Sequence, residues 1–140
     1  MRPGLLLLLG LLVLSQGARA AAQDPRRDGI LADYAAAARA DDPAFAGFSA
    51  ERGRAIYLGP HQANADFPAC ATCHTDDPRR TGQHAKTGRP IEPMAVSANP
   101  ARFTDAAAVE KRFGRDCRSI LGRVCTARDK GDVLTFLISQ

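Results

Sequence analysis

The sequence contains no tryptophan, and only 6% of its residues are aromatic. A domain built from this chain is short of the bulky side chains that usually fill a core. Past residue 20 there is no apolar run of the roughly 20 residues that a membrane-spanning helix needs, so the processed chain has no span. No phosphate-binding glycine loop, hydrolytic triad or paired-carboxylate site stands out, which leaves a kinase or hydrolase without support. Neither sign of charge is in large excess. The formal net charge of +4 falls by two, to +2, once Arg2 and Arg19 leave with an N-terminal signal, and that is no footprint for nucleic acid.

The N-terminus reads as an export signal. Met1-Arg2 is a short positive start, Leu5 to Leu14 an apolar run too short for a comfortable membrane anchor, and Ala18-Arg19-Ala20 an A-x-A cleavage site. Residues 1–20 are therefore expected to be a signal peptide, 21–48 a leader and helix, and 49–140 the principal domain. The mature chain of about 120 residues fits one domain. Export places it on the oxidising side of a membrane, where a disulfide persists and where, in a bacterial cell, c-type haem is attached.

The densest chemistry lies in Cys70-Ala71-Thr72-Cys73-His74. Two thiols one helical turn apart can add to the two vinyl groups of a haem while the adjacent His74 coordinates its iron, so one covalent haem c is expected here. Two other readings use the same cysteines. A thioredoxin-type dithiol expects a preceding strand inside a βαβ pattern, but Gly59 to Pro68 is a polar loop. A zinc site needs two more ligands, which Cys117 and Cys125 could supply; in an exported chain that pair is more naturally a disulfide.

Around the motif the pattern is all-α. Ile30, Leu31, Tyr34 and Ala38 recur at helical spacing and predict a helix over 28–40, after a polar leader from Ala21 to Arg27. Phe45 and Phe48 are expected core plugs. Ser49 is an N-cap candidate for a helix to about Leu58, on which Gly53 and Tyr57 share a face open to close approach by another helix. Residues 75–102 are broken by Pro78, Gly82, Gly88, Pro90, Pro93 and Pro100, and predict a long loop. Such a loop in a small domain wraps something, and a haem would supply apolar mass for Ile91, Met94, Val96 and Phe103 to bury against. Thr104 is the N-cap candidate for a third helix carrying Val109, Phe113, Ile120 and Leu121, with Asp105 in its first turn. Thr126 and Asp129 fit a capping-box start for a last helix bearing Val133, Leu134, Phe136 and Leu137, the expected partner of the Gly53/Tyr57 face.

Terminal helices crossing through a glycine, with Cys-x-x-Cys-His between them, resemble a small class I cytochrome c. Glu51-Arg52-Gly53-Arg54-Ala55, Thr87-Gly88-Arg89-Pro90-Ile91, Arg102-Phe103-Thr104-Asp105, Val109-Glu110-Lys111, Gly114-Arg115-Asp116-Cys117 and Gly122-Arg123-Val124-Cys125-Thr126 are similar in order and spacing to the sphaeroides haem protein family. That resemblance implies a periplasmic monohaem cytochrome, not an enzyme in the ordinary sense, with a disulfide between Cys117 and Cys125. It also implies redox partners such as membrane cytochrome b and other c-type cytochromes. In the family an asparagine is the sixth iron ligand and leaves on reduction, opening a site for oxygen, nitric oxide or another small molecule. Here that position holds Asp116.

Two candidates for the sixth ligand follow. A carboxylate from Asp116 would be a hard anionic ligand favouring ferric iron, unless it instead pairs with Arg115 or Arg118. The thioether of Met94 would raise the potential and suit a simple carrier, unless it is only a core contact. His61 and His84 are expected to be exposed. Electron transfer and diatomic-ligand binding or conversion thus stand as the two functional readings. Arg79, Arg80, Lys86, Arg89, Lys111, Arg112 and Arg115 are expected to present a positive rim to an acidic redox partner.

Overall fold

The structure, a computed structural model, describes residues 23–140; the expected signal peptide lies outside them. Helix α1 spans Pro25–Asp41. Periodicity alone starts this helix at Asp28, but Asp24 caps it by accepting from the Arg26 amide, and Pro25 takes the first helical position, where a missing N–H costs nothing.

The polar-leader reading of Arg27 is overturned by the same shift. Arg27 is fully buried, and its guanidinium donates to Pro100 O at 2.8 Å and to Arg102 O at 2.9 and 3.2 Å. A planar fork of donors satisfies carbonyls in an irregular segment that has no ladder of its own. Arg27→Met keeps most of the volume but removes these donors. It is expected to cost about 3 kcal/mol, measured by denaturant unfolding, because partly buried carbonyls lose a charged donor.

Helix α2, Ala50–Leu58, is capped by the Ser49 hydroxyl, which accepts from Arg52 N at 3.2 Å. After a single turn, α3 (Ala71–His74), comes a two-residue antiparallel ladder of β1 (Gly82–Gln83) and β2 (Pro90–Ile91), with Gly82 opposite Ile91. This small hairpin interrupts what the sequence predicts as continuous loop. Helix α4, Ala106–Ile120, is capped by Asp105 rather than Thr104: Asp105 accepts from Ala108 N, while the Thr104 hydroxyl donates to Ala101 O. Gly114 is tolerated within it, and the helix stops at Leu121, just before Gly122 at φ +70°. Helix α5, Ala127–Ile138, opens with the expected capping box of Thr126 and Asp129. Cys117 and Cys125 are disulfide-bonded, tying the end of α4 to the start of α5.

The centre of the fold is the crossing of α2 and α5. A Cβ on Gly53 would lie 1.9 Å from Asp132 O, so only glycine permits this approach. Asp132, itself buried, accepts from Ser49 N at 2.7 Å and from the Arg52 guanidinium at 2.6 and 2.8 Å. Tyr57, Val133, Phe136 and Leu137 pack on one side of the crossing. Ile30, Tyr34, Val109 and Leu134 form a second buried cluster that joins α1, α4 and α5. Phe45 is buried, and Phe48 seats against Gly131, where any Cβ would overlap its ring.

Polar contacts lock the second cluster from outside. The Tyr34 hydroxyl donates to Glu110, which also receives Lys130 Nζ at 2.8 Å. Partial burial raises the Glu110 pKa, but the bonds from Lys130 and Tyr34 outweigh it and hold the carboxyl below the usual value of 4.5. A depressed folded pKa means the contribution is present above about pH 4.5 and is lost as pH falls through the lower, folded value. Glu110→Gln is therefore expected to flatten the acid limb of a stability-against-pH curve. An acid limb identical to that of the parent would show that the network contributes nothing.

Candidate functional site

The α3 turn brings the chemistry of the motif together. His74 N donates to Cys70 O at 3.1 Å, closing one helical turn that sets Cys70 and Cys73 as helical neighbours immediately ahead of the imidazole. Both thiols are free and half-buried. Burial pushes the Cys70 thiol up to about 11, and the Asp116 carboxylate adds to the shift. A working dithiol needs the opposite displacement. Burial likewise pushes the His74 imidazole down to about 4, helped by Arg102 and Arg112 and opposed by Asp116. The ring is neutral at neutral pH, with a lone pair to give to a metal.

His74 Nδ1 is buried and has no hydrogen-bond partner. Buried polar atoms are normally paired, so the orphan marks an environment completed by something besides protein. A neutral buried imidazole next to two thiols free of any disulfide fits a covalent haem with a histidine ligand. It fits zinc badly. The other two cysteines are consumed by the disulfide, and no cluster of three or more His, Cys, Asp or Glu exists among the described residues.

Neighbouring segments hold the turn rigidly. A Cβ on Gly82 would lie 2.2 Å from Cys73 O, and Ala85 N donates to Cys73 Sγ at 3.4 Å, so the β1–β2 hairpin clasps the motif from one side. From the helix crossing, the Tyr57 hydroxyl reaches His74 O at 3.0 Å and Thr75 O at 2.9 Å. Thr75 has φ +63° and ψ 162°, a region nearly restricted to glycine, where a side chain costs about 1–3 kcal/mol. Half-buried Met94, Phe103 and Phe113 pack against the Tyr57, Val133, Phe136 and Leu137 cluster, as do Cys70 and Ala71. Val96, expected to bury against the haem, is already fully buried in protein, with its amide on Leu137 O. Arg102 grips the preceding loop through Pro93 O at 2.8 Å and Glu92 O at 2.6 Å.

Of the sixth-ligand candidates, Asp116 has its side chain 41% exposed and accepts from Arg115 Nε at 2.6 Å. Even so, its charge is felt at both Cys70 and His74. Arg118 turns instead to Gly114 O. His84 is exposed, with its Nδ1 accepting from the Lys86 and Thr87 amides; His61 is half-buried rather than exposed, its ring engaged with Ile56 O at 2.8 Å. Of the basic rim, Arg79 pairs with Asp77, Lys86 approaches Asp66 and Arg115 pairs with Asp116. Arg80, Arg89, Lys111 and Arg112 are exposed and have no carboxylate partner among the described residues, and a cleft of about 390 Å³ opens over Ala108, Lys111, Arg112 and Arg115.

Sequence reasoning missed Tyr57 as a contact of the motif, Thr75 and Arg27. Only Tyr57 left a signal, since it shares a helix face with Gly53 and so points toward the crossing.

Residues 43–137 match the family described as Domain of unknown function (DUF1924). The chain is 48% identical over 112 residues to the cytochrome c-type protein SHP of Cereibacter sphaeroides, covering 79% of this chain and 81% of that protein. Among solved structures, oxidized SHP, described as an oxygen-binding cytochrome c, is similar with a TM-score of 0.75 and 44% identity, over 84% of this chain and 100% of that one. The solution structure of cytochrome c'' from Methylophilus methylotrophus, described in terms of haem-ligand detachment, is similar with a TM-score of 0.71 and 28% identity, over 81% and 93% of the two chains.

Proposed function

The chain belongs to the DUF1924 family and is a monohaem c-type cytochrome carrying haem c, and we propose that it is an exported, periplasmic electron-transfer protein whose iron opens to a diatomic ligand on reduction. The haem supplies one-electron exchange and, when ferrous, affinity for small diatomics. Cys70 and Cys73 hold it covalently. The neutral His74 imidazole would bind its iron. No helix among the described residues is long and apolar enough to cross a membrane.

One observation carries the open-site reading: Asp116 lies close enough to act on both Cys70 and His74, yet is tied to Arg115 and half in solvent. A carboxylate already engaged by a guanidinium and by water is a weak, displaceable ligand. Met94 favours the other reading, a simple carrier with a fixed thioether, because it packs against the same buried cluster as Cys70. Paired variants separate the two. Asp116→Ala is expected to change the ferric spectrum, while Met94→Leu leaves it unchanged; the reverse pattern makes Met94 the ligand. In this role the protein is a carrier and ligand binder rather than an enzyme.

The exposed cations Arg80, Arg89, Lys111 and Arg112 form the surface for acidic partners, among them membrane cytochrome b and other c-type cytochromes. Electron-transfer rates with such a partner are expected to fall steeply as ionic strength rises, and to fall less in an Arg80→Gln/Arg112→Gln variant. Rates indifferent to salt would sink this assignment.

A further inference from the structure

The contact between Tyr57 and the turn below it does more than pack. Tyr57 is 1% exposed, its ring lies 5.5 Å from that of Phe136, and it sits one helical turn after Gly53. It is therefore as rigidly placed as any residue of the helix crossing. Its single hydroxyl proton is shared between two consecutive carbonyls, those of His74 and Thr75. The second belongs to the residue with φ +63° and ψ 162°. A threonine leaves that region unless its surroundings over-determine it. The polar and close contacts that hold it include the Tyr57 hydroxyl, the Thr75 hydroxyl donating to Asp77 O at 2.6 Å, and Gly82 packed against the Cys73 carbonyl and His74 Cα.

We propose that Tyr57 is a positioning residue for the proximal side of the haem: its hydroxyl clamps the His74 and Thr75 carbonyls in a conformation that only glycine adopts freely, and so fixes the orientation of the His74 imidazole. The clamp links the α2–α5 crossing directly to the iron ligand, with Tyr57 touching neither iron nor substrate. Without the hydroxyl, Thr75 relaxes toward an ordinary extended conformation and swings the backbone of His74, which precedes it. The imidazole then takes a different orientation or several. The inference rests on the reading that His74 binds the iron.

The test uses four full-length holoproteins: the parent, Tyr57→Phe, Thr75→Gly, and the two substitutions together. Phenylalanine keeps the ring contact with Phe136, and glycine occupies the clamped conformation without steric cost. The readouts are the electron paramagnetic resonance g-values of the ferric form and the reduction potential. Neither is moved by a residue that only stabilises the fold. Tyr57→Phe is expected to shift or split the g-values and displace the potential. Thr75→Gly alone should match the parent, and the double variant should return to parental values. A Tyr57→Phe protein with parental g-values and potential overturns the clamp. So does a shift that Thr75→Gly fails to reverse, which would place the effect in the ring rather than in backbone strain. A parent protein with no histidine-ligated haem removes the His74 assignment itself, and the clamp with it, an outcome visible before any variant is compared.

Discussion

Gly53→Ala is expected to destabilise the protein by about 3 kcal/mol or more, the upper part of the range for overpacked cores. The new methyl would overlap Asp132 O and C and Phe136 Cβ, at 1.9, 2.4 and 2.9 Å. Two of these atoms are backbone, so no rotamer change relieves the clash. Helices α2 and α5 must separate, and separation also strains the bonds from Ser49 N and Arg52 to Asp132 that lie at the same crossing. Denaturant unfolding measures the loss. A second substitution locates it: Gly114→Ala, where a Cβ meets nothing within 4 Å, is expected to be neutral or slightly stabilising because alanine is the better helix former. Equal effects at the two glycines would mean that helix propensity, rather than close approach, governs Gly53.

His74→Ala is expected to have the largest effect on function. The variant keeps Cys70 and Cys73, so the covalent tether survives while proximal coordination is lost. It also leaves a cavity in a site where Tyr57, Gly82 and the Cys73 carbonyl are fixed by their own contacts. A cavity that cannot collapse should accept free imidazole, and added imidazole is expected to restore the parental spectrum. The corresponding change at His84 should leave the spectrum untouched, because that ring is exposed and bonded to its own loop. A His74→Ala protein with an unaltered spectrum would remove His74 from the iron.

Much of this arrangement is legible along the chain because its causes are local. The capping box of Thr126 and Asp129 needs four consecutive residues, and the structure forms it as expected. Gly53 and Tyr57 are one turn apart, so their shared face and the crossing with α5 follow from helical geometry. Short-range signals can also compete. Asp105 takes the cap expected of Thr104, a one-residue displacement between two adjacent capping side chains. Arg27 is illegible for a different reason. Its partners are carbonyls of Pro100 and Arg102, far along the chain, and nothing in a run of charged residues marks one of them for burial. The Tyr57–Thr75 contact is hidden in the same way, since a positive φ at threonine has no sequence signature. Asp116 lies between the two cases: its position along α4 is readable, but its bond to Arg115 depends on side-chain placement.

An iron site guarded by a displaceable carboxylate and opened by reduction is tested most directly by the optical spectrum of the purified holoprotein, oxidised and then reduced, with and without carbon monoxide. The expected result is a high-spin reduced form that binds carbon monoxide at once. A low-spin reduced form indifferent to carbon monoxide would contradict the claim, make Met94 the sixth ligand, and leave electron transfer as the whole function.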